Sequence, residues 1–239
     1  TGDQVYENKP TRKDWSISPF KDYLYKWLIW CWSFRDLTNH LPAMVQPDDH
    51  DVYHGNIWGW GGKLNLTGQN GDGGYLRSPA FVNMVHKTMS GHLPDTYGPV
   101  PAENGILNYY TRFNWGGVGF AVLEDRKFKT PPQIEDPTRQ KLLGEGQMNM
   151  LEQWGKDWSD HQFKCMVSQT IYASMHVDFE GNIRDDSDSN GFPKVRRDEL
   201  LNLLRKSGVF ILSGDQHLAT FARLGVDQPS DAVYQFAVP

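Results

Sequence analysis

The chain has 239 residues, which is enough for one large domain or two small ones. Hydrophobic residues make up 38% of it and charged residues 22%, so a packed core is feasible and wholesale disorder is disfavoured. The net charge of -5 argues against nucleic acid as a specific partner, because such proteins usually present a basic face.

The two cysteines and the longest apolar stretch set further bounds. Cys31 and Cys165 are far apart in apolar settings, which favours buried free thiols over a disulfide. The stretch over 23–34 is broken by Lys26 and is too short for a bilayer, so no transmembrane segment is expected. From its first and last residues we expect a chain that is truncated at both ends.

Periodicity predicts the elements of the first third of the chain. Apolar spacing predicts a helix over 14–34 and another over 81–89. The short apolar run 42–45 predicts a strand that delivers the polar residues after it. Residues 55–74 are rich in Gly, Asn and Trp, which predicts a long, ordered loop.

In the rest of the chain, apolar strands repeatedly end in polar clusters. The predicted elements are strands over 118–123, 163–167 and 209–212, helices over 147–158 and 196–206, a loop over 130–139 and a polar turn over 185–193. The clusters that follow the strands are Glu124-Asp125-Arg126, Ser168-Gln169-Thr170 and Gly214-Asp215-Gln216-His217. Ligand and catalytic groups of α/β proteins gather at the carboxyl ends of strands, so this pattern predicts an α/β fold with a site there.

The acidic run Asp48-Asp49-His50-Asp51 is the densest of the charged clusters. Carboxylates this close repel one another unless a cation compensates them. They favour hard metal ions, and a histidine beside them is either a ligand or a proton donor. A solvated surface loop is the alternative interpretation, and the residues alone leave both open.

Two further pairs are candidate metal ligands. Asp215 and His217 are two residues apart, so in extended geometry they would point to the same side; a hairpin turn with a surface histidine is the alternative. Asp3 and Tyr6 follow a glycine turn and could face one hard cation, with the phenol suited to Fe(III). A turn aspartate beside a packed tyrosine is the competing interpretation of that pair.

Two other features have weaker patterns. Arg126 is a candidate anion clamp, because a guanidinium fork matches a phosphate, although a salt bridge to Glu124 or Asp125 is the more frequent reason for such a residue. Residues 186–191 resemble the opening of an EF-hand calcium loop. Arg197 stands where that loop needs a glutamate, so only an oxygen-rich turn near another metal or a substrate remains open.

Together these clusters resemble the PhoD-like alkaline phosphatases, a branch of the calcineurin-like metallophosphoesterases. The matching motifs come in the family's order: Gly-Asp-x-x-Tyr at 2–6, Asp-Asp-His-Asp at 48–51, Leu-x-x-Arg at 123–126, Ser-Gln-Thr at 168–170, Asn-Gly-Phe-Pro at 190–193 and Gly-Asp-x-His at 214–217. The resemblance implies an α/β fold, a four-layer α-β-β-α sandwich with mixed sheets. It implies one domain over 1–239 that lacks the family's first strand and a metal ligand on it.

The resemblance also implies roles for individual residues. A centre of Fe(III) and Ca(II) would be held by Asp3, Tyr6, Asp49, Asp215 and His217. Asp3 would bridge the two ions, and Tyr6 would bind the iron. His50 would protonate the leaving group, and Arg126 would face the phosphate. Asn56 and Asn190 would line the substrate site.

The implied function is metal-dependent hydrolysis of a phosphoester, of the alkaline phosphatase or phosphodiesterase type, by a metal-activated hydroxide. Export to the periplasm or the extracellular space is implied by the resemblance alone, and the oligomeric state is left open. Asn190 stands where many members have Asp, and Glu124-Asp125-Arg126 replaces the usual Asp-Thr-Arg. Phosphate geometry or substrate choice is therefore expected to differ.

Two other functions compete with hydrolysis. The nine Trp and the Gly-rich loop would also suit a secreted carbohydrate-binding module with a calcium-bearing acidic turn. That module would still bind glycans after Asp49→Ala and Asp215→Ala, whereas the hydrolase would lose metal. A catalytically degenerate relative with a structural role would bind no metal at all.

Overall fold

The computed structural model describes residues 2–7, 17–173, 179–180, 192–215, 217–225, 227–228 and 231–238. The helices are α1 (Pro19–Thr38), α2 (Pro79–Ser90), the one-turn α3 (Asp125–Phe128), α4 (Glu145–Lys156) and α5 (Lys194–Leu204). The strands are β1 (Thr111–Trp115), β2 (Val118–Val122), β3 (Phe163–Val167), β4 (Val209–Ser213), β5 (Thr220–Leu224) and β6 (Val233–Ala237). Short 3-10 turns cover His50–Val52, Asn70–Asp72, Glu103–Gly105 and Arg205–Ser207.

The strands form one six-stranded mixed sheet in the order β1-β2-β3-β4-β6-β5. The four central strands β2, β3, β4 and β6 run parallel, and the edge strands β1 and β5 are antiparallel to their neighbours. The carboxyl ends of the parallel strands therefore lie along one edge of the sheet. The polar clusters that follow β2, β3 and β4 meet at this edge, as the sequence predicted.

Helices α4 and α5 cover the centre of the sheet. Trp154 of α4 and Leu204 of α5 are buried in one apolar cluster with Met166 of β3 and Ile211 of β4. Both helices follow parallel strands along the chain, as crossover connections in such sheets do. This core fixes the strands whose ends carry the polar clusters.

A second apolar cluster forms around α2 and the loops before it. Its members include Tyr23 of α1, Phe81 and Val85 of α2, and Val52 just after the acidic run. Hydrogen bonds link the chain before that run to the sheet: Gln46 Nε2 donates to the Leu123 carbonyl, and Gln169 Nε2 donates to the Pro47 carbonyl at 3.2 Å. The acidic run is thus held against the carboxyl edge of the sheet.

Most predicted elements are confirmed, with ends that shift by a few residues. The loops over 55–74 and 130–139 contain no α-helix or strand, and the three predicted strands after residue 117 all lie in the sheet. The first helix begins at Pro19 and continues to Thr38. Its buried residues are Asp22 and Tyr23, whereas Leu24 and Leu28 from the apolar pattern are exposed. The predicted polar turn lies mostly outside the described residues.

Two aspects of the prediction are wrong. Residues 42–45 form no strand and pair with none in the described part of the chain, because prolines at 42 and 47 limit backbone pairing there. Strands β1, β5 and β6 were missed. In β6 the buried face is Val233, Gln235 and Ala237, and Gln235 donates to Ser213 Oγ at 2.5 Å. The large apolar residues Tyr234 and Phe236 are exposed, so the apolar pattern of this strand does not match its burial.

The Gly-rich loop over 55–74 forms backbone hydrogen bonds with the short helix α3. The Gly59 amide donates to the Arg126 carbonyl and the Gly61 amide donates to the Lys127 carbonyl, both at 2.9 Å. A Cβ atom at Gly59 would lie 2.6 Å from the Lys127 carbonyl oxygen, so only glycine permits this approach. The loop therefore fixes the backbone that carries Arg126.

His86 of α2 gives the fold an acid-sensitive position. Burial, together with the charges of Lys127 and Lys87, lowers the pKa of this imidazole from 6.5 to about 3. Below pH 6.5 this histidine is protonated in the unfolded chain but stays neutral in the folded protein. The free energy of unfolding therefore falls as the pH drops toward 3. We expect His86→Gln to reduce the loss of unfolding free energy between pH 7 and pH 4.5 by about 2–3 kcal/mol.

Denaturant titrations at the two pH values measure that difference. His40→Gln is the matched control, because His40 is exposed. Equal acid sensitivity in wild type and His86→Gln would contradict the assignment.

Both cysteines are free thiols, and Cys165 is buried while Cys31 is half-buried, in line with the predicted absence of a disulfide. None of the helices formed by the described residues is both long enough and apolar enough to cross a lipid bilayer.

Candidate metal centre

The buried carboxylate of Asp51 joins two segments that are distant in sequence. Its Oδ1 accepts the Val5 amide at 2.8 Å, and its Oδ2 accepts the Asp48 amide at 2.9 Å. Gly2 packs so closely on Asp48 that a Cβ atom at position 2 would overlap Asp48 Oδ2. Asp3 is therefore brought to the acidic run, which itself lies against the strand ends.

Within the described part of the chain, acidic and histidine side chains form three groups whose ligand atoms lie within 4.8 Å of one another. The groups are Asp3 with Asp49 and His50, Asp3 with Asp215 and His217, and Asp48 with Asp49 and Asp215. Asp3 belongs to the first two groups, which we call the Asp3 groups. A carboxylate has two oxygens, so Asp3 has the chemistry to serve both groups at once.

Several carboxylate oxygens at this centre lack hydrogen-bond donors among the described residues. They are Asp3 Oδ1, Asp48 Oδ2 and Asp49 Oδ1, and all are buried. A buried, unsatisfied carboxylate oxygen is costly, and hard metal ions are bound by such oxygens. The residues present therefore fit a metal centre.

The titration of these carboxylates reflects the same crowding. Burial and the charge of Asp49 raise the pKa of Asp3 to about 6. Burial raises the pKa of Asp48 well above its usual value even though Arg126 lowers it. Burial also raises the pKa of Asp49, but Arg126, His50 and the Asn56 amide outweigh it, so the net shift is downward. The raised pKa values of Asp3 and Asp48 indicate that the centre carries excess negative charge.

Arg126 lies among the carboxylates of the third group. Its Nε donates to Asp48 Oδ1 at 2.5 Å, its Nη2 donates to Asp215 Oδ2, and Nη2 lies 3.7 Å from Asp49 Oδ1. The residue is only 2% exposed. Arg126 thus forms salt bridges, the more frequent reason for such a residue, and the partners seen here are Asp48, Asp49 and Asp215. A role toward phosphate stays a prediction.

His50 is held by contacts that leave its ring in a defined orientation. Its Nδ1 is 2.9 Å from Glu7 Oε2, and the Tyr6 ring stacks on it with centroids 4.3 Å apart. The hydrogen bond to Glu7 outweighs burial and raises the pKa of His50 to about 9, with help from Asp49 and Asp3. Burial raises the pKa of Glu7, but His50 and a backbone hydrogen bond together lower it, so the net shift is downward. An imidazolium at neutral pH is a competent proton donor.

Tyr6 contacts the centre through its hydroxyl group, which donates to Asp3 Oδ2 at 2.7 Å. Burial and this carboxylate raise the pKa of the phenol. The spacing of three residues thus brings the phenol to Asp3, and the idea that both face one hard cation stays a prediction. Without a metal, the phenol is a hydrogen-bond donor to the carboxylate.

Several site residues have a left-handed backbone. The φ angles are 54° at Asp3, 58° at Asn56, 61° at Asp215 and 50° at His217. Asp, Asn and His are the non-glycine residues that adopt this region most often, and such strain clusters at functional sites. Asp215 and His217 do converge with Asp3, but through this turn and not through the extended geometry that was predicted.

The substrate-lining predictions have unequal outcomes. The Asn56 amide donates to Asp49 Oδ2 at 2.5 Å, so this residue lies at the centre, and its side chain is exposed. Asn190 and the EF-hand-like turn lie outside the described residues. His217 is exposed as well, while the side chain of Asp215 is 8% exposed.

Sequence reasoning assigned no role to Glu7 or Asp51, and it placed Gln169 at a strand end without a function. Gln169 accepts the Asp125 amide at 3.3 Å and donates to Glu124 Oε1 at 3.2 Å, which ties β3 to the start of α3. Asp51 could have been found because it belongs to the acidic run. Glu7 could not, since nothing in its local sequence sets it apart from a surface glutamate.

The fold and the site together define a class: a mixed α/β protein with an acidic candidate metal centre at the carboxyl edge of its sheet. The chain belongs to the PhoD-like phosphatase family, whose sequence profile matches residues 30–238. It is similar to a solved structure of PhoD, with a TM-score of 0.69 and 22% identity over 99% of this chain and 49% of the other. The chain thus spans about half the length of that structure, and no curated protein matches it.

Proposed function

We propose that this chain carries the centre of a metal-dependent phosphoester hydrolase. The observation that supports this most directly is that Asp3 is shared by two groups of ligand atoms, each within 4.8 Å. Paired cations bridged by protein ligands are typical of phosphatases and other enzymes that displace at phosphorus. Family membership favours the same chemistry.

The ligands would be Asp3, Tyr6, Asp49, Asp215 and His217, with Asp3 common to both ions. His50, the third member of the first Asp3 group, would be the proton donor and not a ligand. When bound, the cations would supply a hydroxide nucleophile near neutral pH and neutralise charge on the phosphoryl group. The phenol of Tyr6 and the oxygen-rich donor set favour Fe(III) with Ca(II) over a zinc pair. The unsatisfied buried oxygens of Asp3 and Asp49 would gain a partner.

His50 would give a proton to the departing alkoxide. Its Nδ1 faces Glu7, which leaves the other ring nitrogen to meet a substrate, and Tyr6 stacking restrains the ring. Asn56 and Asn190 would line the substrate site. Arg126 would not bind a metal ion itself; its salt bridges would hold Asp48 and Asp215 in place.

The proposal extends to the whole domain. We expect residues 1–239 to belong to one domain, and the sheet described here to be one β layer of a four-layer α-β-β-α sandwich. An experimentally determined structure would test the layers. Export would be tested by fractionating cells that express the protein.

The test of the function uses the protein loaded with Fe(III) and Ca(II). The substrates are a phosphomonoester and a phosphodiester, both as p-nitrophenyl esters. We expect at least one of them to be hydrolysed. Asp49→Ala and Asp215→Ala should lose bound metal by elemental analysis, while the exposed Asp136→Ala keeps it. Metal-loaded protein that cleaves neither ester would contradict the proposal.

A further inference from the structure

The third acidic group differs from the two Asp3 groups because it already contains a cation. An Arg126 nitrogen lies within 3.7 Å of every member of this group, namely Asp48, Asp49 and Asp215. Hydrogen bonds run from Nε to Asp48 and from Nη2 to Asp215. The guanidinium lies in direct contact with the carboxylates that a metal ion in this group would need.

Burial makes that cation hard to replace. The side chains of Arg126, Asp48 and Asp49 are 3%, 0% and 2% exposed. A guanidinium stays charged at any relevant pH, and it presents donors in a rigid fork that matches carboxylates. Removing one partner from a buried ion pair strands the other charge, which is strongly destabilising.

We infer that Arg126 is the permanent cation of the Asp48–Asp49–Asp215 group, where it excludes a metal ion and positions Asp49 and Asp215 for the two Asp3 groups. This inference rests on the proposed metal centre. It assigns Arg126 a positioning role that sets how many metal ions the centre takes. Asp48, which has no part in the Asp3 groups, is then the anchor of the guanidinium.

The lone pairs of a carboxylate explain how one aspartate can contact Arg126 and also bind a metal ion. Asp49 Oδ1 faces Arg126, and Asp49 Oδ2 accepts the Asn56 amide at 2.5 Å. Asp215 Oδ2 accepts from Arg126. Each carboxylate oxygen has more than one acceptor direction, so a guanidinium contact leaves capacity for an ion. The contact with Arg126 restrains each aspartate side chain and so positions it for the metal ion.

The experiment measures calcium binding to the full chain by calorimetry after chelation, with elemental analysis of the saturated protein. Calcium is the probe because the third group offers only carboxylate oxygens. We expect Arg126→Gln to bind one more calcium ion per chain than wild type. Arg126→Lys, which keeps the charge, should bind the same number as wild type.

Thermal melting of the metal-free proteins provides the second measurement. Arg126→Gln should lower Tm by roughly 10 °C, because three buried carboxylates lose their cation. Adding Asp48→Asn to that variant removes one stranded charge, so Tm should rise again and the extra calcium should be lost. This double variant also keeps the inference testable if Arg126→Gln folds too poorly for calorimetry.

Equal or lower calcium stoichiometry in Arg126→Gln than in wild type would overturn the inference. So would a double variant no more stable than Arg126→Gln. If wild type binds no cation at all, the proposed metal centre fails instead, and the melting data alone then decide the role of Arg126.

Discussion

Asp3→Asn is expected to remove both metal ions and to lower phosphoester hydrolysis on the order of a thousandfold. Asp3 is the one residue common to both Asp3 groups, so the loss of its charge affects both sites. Asparagine keeps the shape and one oxygen of the side chain. The effect on metal can therefore be separated from an effect on packing.

The same substitution should stabilise the metal-free protein or leave its stability unchanged. Burial and the nearby Asp49 raise the pKa of Asp3 to about 6, which means that the ionised form is disfavoured at this position. A neutral amide removes that repulsion. Residues that are kept for function at a cost in stability behave in this way when they are replaced.

The measurements are elemental analysis, calorimetric Tm of the chelated protein and turnover of a phosphomonoester. Asp215→Asn is the graded comparison, because Asp215 belongs to only one Asp3 group and should lose only one ion. Asp136→Asn serves as the exposed control. Retention of both ions by Asp3→Asn would show that Asp3 is not the shared ligand.

The edge of the sheet could be predicted from sequence because its causes are local. Buried strands such as 163–167 and 209–212 are short apolar runs, and each is followed at once by polar residues. Parallel pairing then brings those residues together without any further information. Asp215 was placed correctly for this reason.

Other parts of the centre depend on contacts that no local pattern records. Arg126 and Asp48 are 78 residues apart, and their buried ion pair follows from the way the loops fold onto α3. The left-handed backbone at Asp215 and His217 is set by the turn after β4, where a strand pattern predicts extended geometry. Gln235 is buried because it bonds the Tyr172 and Ala173 amides, which only the folded chain brings near it.

Glu7→Gln is expected to slow hydrolysis of an alkyl phosphate about a hundredfold while changing p-nitrophenyl phosphate turnover little. Glu7 Oε2 is 2.9 Å from His50 Nδ1, and it is the largest single cause of the raised pKa of His50, which is about 9. An amide in its place still contacts the ring but no longer stabilises the imidazolium. The proton donor would then be weaker and less well oriented.

The split between substrates follows from what each leaving group needs. An alkoxide is a poor leaving group without a proton, so its departure depends on a general acid. A p-nitrophenolate leaves without protonation and is nearly indifferent to the acid. His50→Gln should show the same split with a larger loss on the alkyl ester, and Glu7→Gln should add little further loss in that background.

Metal content must stay constant for this comparison to be meaningful, so each variant is analysed for bound iron and calcium. Glu152→Gln is the matched control, because Glu152 is an exposed carboxylate on α4 that pairs with Lys156. Equal losses on both substrates would mean that Glu7 acts through the fold or the metal ions. A loss confined to the alkyl ester would identify Glu7 as the residue that positions His50 for proton transfer, because a purely structural defect cannot distinguish between leaving groups.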